Sequence, residues 1–160
     1  MRRSKRKPDA EEVDLAGVRR VSLDLLARRE YSQVELRRKL AERDLPEGLV
    51  DEVLEALAAE GLQSDARYVE AFVHSRIERG QGPVRIRQEL RARGAPDDLA
   101  VAALADEDRA AWRARAERVR RQKFGDALPS DWAGKVKQAK FLQQRGFAME
   151  HIQLDVDADG

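Results

Sequence analysis

Apolar residues return along this chain at the three- and four-residue intervals of an amphipathic helix, and no stretch alternates like a half-buried strand. Val50, Val53, Leu54 and Leu57 form one such stripe. Start and stop signals fall between the stripes. Ser32 followed by Glu35 is a capping box that opens a helix running toward Arg43, and Pro46 suits the first turn of the next. Gly94 and Gly146 end helices where a left-handed residue is needed, Gly61 ends a third, and Gly80-Gln-Gly-Pro83 makes a further break. Helices are predicted over 13–29, 65–79 and 108–124, each opening a group of three.

The stripes repeat. Val34-Glu-Leu-Arg-Arg-Lys-Leu-Ala-Glu-Arg-Asp-Leu-Pro46 returns 50 positions later as Val84-Arg-Ile-Arg-Gln-Glu-Leu-Arg-Ala-Arg-Gly-Ala-Pro96. Leu36 thus meets Ile86, Leu40 meets Leu90, Leu49 meets Leu99 and Leu54 meets Leu104. A weaker third copy sits at Phe141-Leu-Gln-Gln-Arg-Gly-Phe-Ala148, where Arg145 and Gly146 take the places of Arg93 and Gly94. The expected fold is all-α: three tandem three-helix repeats stacked into an elongated, curved array. The expected division is a basic, flexible arm over 1–12, repeats over 13–63 and 64–105, and a third over 106–160 with an acidic tail. Helices this short need tertiary packing, so the repeats are expected to bury their stripes against one another.

Composition narrows the class. The 160 residues are 42% hydrophobic and 38% charged, with no cysteine, so disulfides, thiolate chemistry and cysteine metal sites are excluded. No apolar run approaches the roughly 20 residues of a membrane span, and a cytoplasmic monomer is expected. The net charge of +1 conceals opposite blocks. Met1 to Pro8 carries five Lys/Arg and no acid, and 113–145 carries ten against three acids. Between Asp44 and Glu70 eight acids face Arg67 alone, and Glu150, Asp155, Asp157 and Asp159 close the chain.

Catalytic chemistry finds little support. His74 and His151 lie far apart, without partners at metal-ligand spacing, so no metal and no cofactor is expected. The Gly80–Pro83 break lacks the Lys-Ser/Thr of a phosphate loop and reads as an interhelical turn. Acid pairs such as Asp51-Glu52 and Asp97-Asp98 fall in first helical turns, where they complement the dipole. Phe72, Trp112, Phe124 and Phe141 fall at core spacing, whereas Trp132 lies in a polar stretch. The chain therefore reads as a binding protein rather than an enzyme.

The basic residues define its expected contact surface. Arg115, Arg118 and Arg121 follow a spacing of three, with Trp112, Ala116 and Val119 on the inward side. Arg37 recurs as Arg87 and Arg43 as Arg93. Candidates for contact with nucleic acid or another anionic partner are Arg2, Arg3, Lys5, Arg6, Arg37, Arg38, Arg85, Arg87, Arg91, Arg115, Arg118 and Arg121. The second and third helices have helix-turn-helix proportions, yet Glu47, Asp51, Glu52, Glu55, Asp97 and Asp98 would oppose entry into a phosphate-lined groove.

One segment is more specific than the rest. Ser64-Asp-Ala-Arg-Tyr-Val-Glu-Ala-Phe72, Arg76 and Gly80-Gln-Gly-Pro-Val-Arg-Ile-Arg-Gln-Glu-Leu-Arg-Ala-Arg-Gly94 closely resemble the central signature of the RecX family. Tyr31-Ser-Gln-Val-Glu-Leu-Arg-Arg-Lys-Leu40, Arg120-Arg-Gln-Lys-Phe-Gly125 and Phe141-Leu-Gln-Gln-Arg-Gly-Phe147 extend the resemblance over about 17–153. Asp44 departs from it, since a glycine is usual there, and so does the short acidic tail after Leu154. The resemblance implies a cytosolic regulator of the RecA recombinase, acting in DNA repair, homologous recombination and the SOS response. It implies binding to the RecA–DNA filament, weak non-specific contact with single- or double-stranded DNA, and inhibition of ATPase, strand-exchange and co-protease activities. A non-specific nucleic-acid binder and a helical-repeat adaptor without RecA specificity are the alternatives.

Overall fold

The computed structural model describes residues 14–154, and among them every regular element is helical. Eight α-helices follow in order: α1 (Leu15–Arg28), α2 (Gln33–Ala41), α3 (Glu47–Ala59), α4 (Asp65–Glu78), α5 (Pro83–Ala92), α6 (Asp97–Ala105), α7 (Arg109–Phe124) and α8 (Trp132–Gln144). A single 3₁₀ turn, Met149–His151, comes last. The expected groups of three are present, but the last member of the third is this one turn.

Local chemistry explains most boundaries. The side chains of Asp14, Ser32, Asp108 and Asp131 accept the N–H groups of Gly17, Glu35, Ala111 and Gly134 at 2.7–3.1 Å, satisfying donors that a helix start leaves open. Pro46 and Pro96 precede α3 and α6 with almost the same backbone, φ −59° and ψ 126° against φ −58° and ψ 128°. At the other ends the residue after the glycine folds back, with Leu62 N–H to Leu57 O at 2.9 Å, Ala95 to Leu90 at 3.1 Å and Phe147 to Leu142 at 3.1 Å. Where Gly94 has φ 74°, its counterpart Asp44 has φ 54°, so an aspartate takes the left-handed position left by the missing glycine.

The chain divides into two compact units, 1–65 and 66–160. In the first, α1, α2 and α3 enclose Val18, Leu25, Leu36, Leu40, Val50, Leu54 and Leu57. The second holds the other two repeats around one continuous cluster that runs from Tyr68 and Val69 through Ile86 and Leu90 to Trp112, Leu142 and Leu154. Its repeats are joined backbone to backbone. Gly82 N–H donates to Arg145 O at 2.8 Å and Val84 N–H to Gly146 O at 2.9 Å. A Cβ at Gly82 would lie 2.4 Å from Gly146 C, and one at Gly146 2.3 Å from Arg85 Cβ. The Gly80–Pro83 break is thus a docking turn that only glycine permits.

A candidate anion-binding surface

The arginines singled out in the sequence stand in quite different surroundings. Arg2, Arg3, Lys5 and Arg6 lie outside the described residues. On α2, Arg38 is exposed beside Arg37, whose Nη2 sits 3.0 Å from Asp51 on α3. On α5, Arg85 pairs with Glu89 at 3.1 Å, and Glu89 also receives Arg76 at 3.2 Å. Arg87 and Arg91 converge on the Asp97 carboxylate at 2.6 and 3.0 Å. Their hydrogen bonds, Arg87 first, hold Asp97 far below the usual carboxylate range. The acids read as helix-dipole partners therefore also tie down the arginines of the preceding helix.

The α7 stripe divides in the same way. Arg115 pairs with Glu107 at 2.8 Å and Arg121 with Glu117 at 3.0 Å. Arg118, between them, is exposed and has no ion pair among the described residues. It lines two depressions of the second unit. One, about 480 Å³, is shared with Arg115, Gln81, Gln122 and Phe147, and the other, about 600 Å³, with Arg113, Arg121 and Gln153. Of the three arginines of the stripe, Arg118 can take an anion without first breaking an ion pair.

Arg120, which the contact-surface reading passed over, is 1% exposed. Its guanidinium bonds both Glu117 oxygens at 2.9 and 2.7 Å, Gln138 Oε1 at 3.2 Å, and the carbonyls of Gly125, Asp126 and Ala127 at 3.3–3.4 Å. These partners hold the α7–α8 connection in place, and the Glu117 carboxylate foremost raises the Arg120 pKa. The signal was available, because Arg120 stands four residues beyond Ala116 on the inward stripe.

Neither histidine assembles a catalytic constellation. His74 is exposed and pairs with Glu78 at 3.2 Å. His151 is buried against Trp112, ring centroids 6.3 Å apart, and burial lowers its pKa. No group of three His, Asp or Glu among the described residues could hold a metal, and no helix there is long and apolar enough to cross a membrane. Phe72 and Trp112 are core residues as expected, Phe124 and Phe141 meet edge to face at 5.3 Å, and Trp132 is exposed.

Fold and surface together define an all-helical repeat protein of three three-helix domains, with cations displayed on α2, α5, α7 and α8. The comparisons narrow that class to a family. Residues 19–57, 64–104 and 113–154 match the models of the first, second and third three-helix domains of RecX. "Regulatory protein RecX" of Halorhodospira halophila is 50% identical over 135 residues, 84% of this chain and 83% of the relative. The protein of that name from Pseudomonas entomophila is 46% identical over 135 residues, 84% and 86% of the two chains. The chain belongs to the RecX family. In fold it resembles the crystal structure of RecX from Lactobacillus salivarius, with a TM-score of 0.78 and 20% identity over 91% of this chain and 97% of that one. A second crystal structure, of regulatory protein RecX, gives 0.75 and 24% over 86% and 70%.

Proposed function

We propose that this protein regulates the RecA recombinase in the cytoplasm by binding the RecA–DNA filament and damping its ATP hydrolysis, strand exchange and co-protease activities. The observation that carries this reading is the match of all three consecutive repeats to RecX domains, together with 50% identity to a curated regulatory protein RecX over most of both chains. In this scheme the chain acts as a monomer that consumes nothing. It binds subunits and phosphates across the filament and hinders the rearrangement that each ATP cycle requires.

The arginines then fall into two roles. Arg118 and the basic N-terminal segment with Arg2, Arg3, Lys5 and Arg6 contact phosphates directly. Arg37, Arg38, Arg85, Arg87, Arg91, Arg115 and Arg121 contact recombinase, and those with an internal acid exchange it for an acid of the partner. Such exchange adds little net affinity per pair but sets the register of the complex.

The test is the ATPase rate of preformed RecA filaments on single-stranded DNA, titrated with this protein while DNA stays in large excess. A steep fall at sub-stoichiometric protein is expected, since the excess removes competition for DNA as the cause. An unchanged rate overturns the reading for that recombinase. Inhibition that disappears with added competitor DNA identifies a non-specific nucleic-acid binder instead.

A further inference from the structure

Helix α8 carries a surface that the arginine pattern does not include. Trp132, Ala133, Lys137, Lys140 and Gln144 are all exposed and, at 100° per residue, fall on one arc of the helix. From Trp132 to Arg145 the chain has Lys135, Lys137, Lys140 and Arg145 and no acid. The neighbouring Asp131 is occupied, its carboxylate accepting the Gly134 N–H at 2.9 Å. Neither Lys137 nor Lys140 has an ion pair among the described residues. A third ammonium joins the edge of the arc from the end of α7. Lys123 Nζ lies 5.8 Å from the centroid of Phe141, the residue after Lys140 and one turn beyond Lys137.

The indole is what makes this more than a solvated face. Trp112 is 3% exposed, as a tryptophan ordinarily is in a helical core, whereas Trp132 is 50% exposed. Lysine is depleted where proteins bury a hot-spot tryptophan against one another, and the arc of Trp132 carries three polar residues and Ala133, the exposed Leu128 lying before the helix. An exposed ring among unpaired cations is instead the composition of platforms that stack bases and follow a phosphate backbone. From Trp132 to Lys140 the helix rises about 12 Å. That is the length of roughly three nucleotides at a stacked rise of about 3.4 Å.

We propose that the exposed arc of α8 is a contact site for single-stranded nucleic acid, where a base stacks on Trp132 and Lys123, Lys137 and Lys140 take backbone phosphates. This deepens the regulatory reading, and rests on it for the choice of DNA over RNA. None of Trp132, Lys137 and Lys140 lines either depression that Arg118 lines, so the two can be disabled by separate substitutions.

The experiment titrates the full-length protein with an oligodeoxythymidylate, following tryptophan emission and, with a labelled oligonucleotide, anisotropy. Trp132 emission is expected to be quenched, and W132F to remove that change because Trp112 is buried. W132A is expected to weaken binding at least about fivefold. The K137E/K140E double variant is expected to weaken it further and to flatten the log–log salt slope by about 1.4, or 0.7 for each phosphate no longer neutralised. All these side chains are exposed, so the variants should keep the wild-type melting temperature. Unchanged emission, wild-type affinity in W132A and K137E/K140E, or equal quenching by polyglutamate or by anionic vesicles overturns the proposal. Retained inhibition of RecA filaments with no Trp132 response sinks this site and leaves the regulatory reading standing. A Trp132 response with no inhibition does the reverse.

Discussion

Arg120 shows how one side chain can set both structure and charge. It would be counted toward the basic block of 113–145, yet its charge is spent inside the protein on Glu117, Gln138 and three carbonyls of the α7–α8 connection. Arg120→Met keeps the apolar stem and removes the donors, leaving carbonyls under-satisfied. It should lower stability by about 2–4 kcal/mol, read by urea unfolding. Asp44 offers the opposite experiment. Its left-handed backbone suits glycine better, so Asp44→Gly should raise stability by about 0.5 kcal/mol, the relieved strain being partly offset by a freer unfolded chain. A drop would mean that the aspartate side chain holds the turn. For function the informative contrast is Arg118→Glu against Arg91→Glu. Arg118 is unpaired while Arg91 shares Asp97, so the first should weaken inhibition of RecA filaments more than the second.

At the scale of the element, the 3₁₀ turn Met149–His151 stands where the first two repeats place α3 and α6. It is held by burying His151 beside Trp112, while Arg113 and Arg109 reach the neighbouring Glu150 at 2.8 and 3.9 Å. Burial lowers the histidine pKa from 6.5, opposed by Glu150 and aided by the two arginines. The unfolded chain therefore binds the proton first as pH falls. Stability should be full above pH 6.5 and decline from there toward the depressed folded value, and His151→Gln should flatten that slope in melts across this range. Elements of this kind mark what the sequence discloses and what it does not. The cap at Ser32, the proline start at Pro46 and the glycine stops are local chemistry, and all were legible. Partners across helices were not. Arg37 and Arg87 are equivalent by the 50-residue shift, yet one meets Asp51 and the other Asp97, acids at non-equivalent positions. Only packing chooses between them. The exposure of Trp132 was equally hidden, because a tryptophan in a polar stretch is as compatible with a buried corner as with an open face.

On the scale of the whole molecule, three repeats make two compact units: the first repeat has its own cluster, and the second and third share one. Their joint is the contact of Gly82 with Gly146, so Gly82→Ala should cost about 2–3 kcal/mol, because the new methyl meets main chain that cannot rotate away. Hydrogen exchange should report that loss in α4 to α8 together while α1 to α3 keep wild-type protection. Loss confined to α5 would show the two repeats to be energetically separate. The joint also limits how the architecture can lengthen. Repeat proteins ordinarily grow by duplicating a unit whose faces fit any neighbour. Here the mating faces are main chain against main chain, and an extra copy inserted between the second and third repeats would need a bare α-carbon on both of its sides. A copy of the first repeat, with Ser32 and Asp44 at these places, lacks both, whereas a copy of the second carries both as Gly82 and Gly94, so the seam decides which repeat can be multiplied.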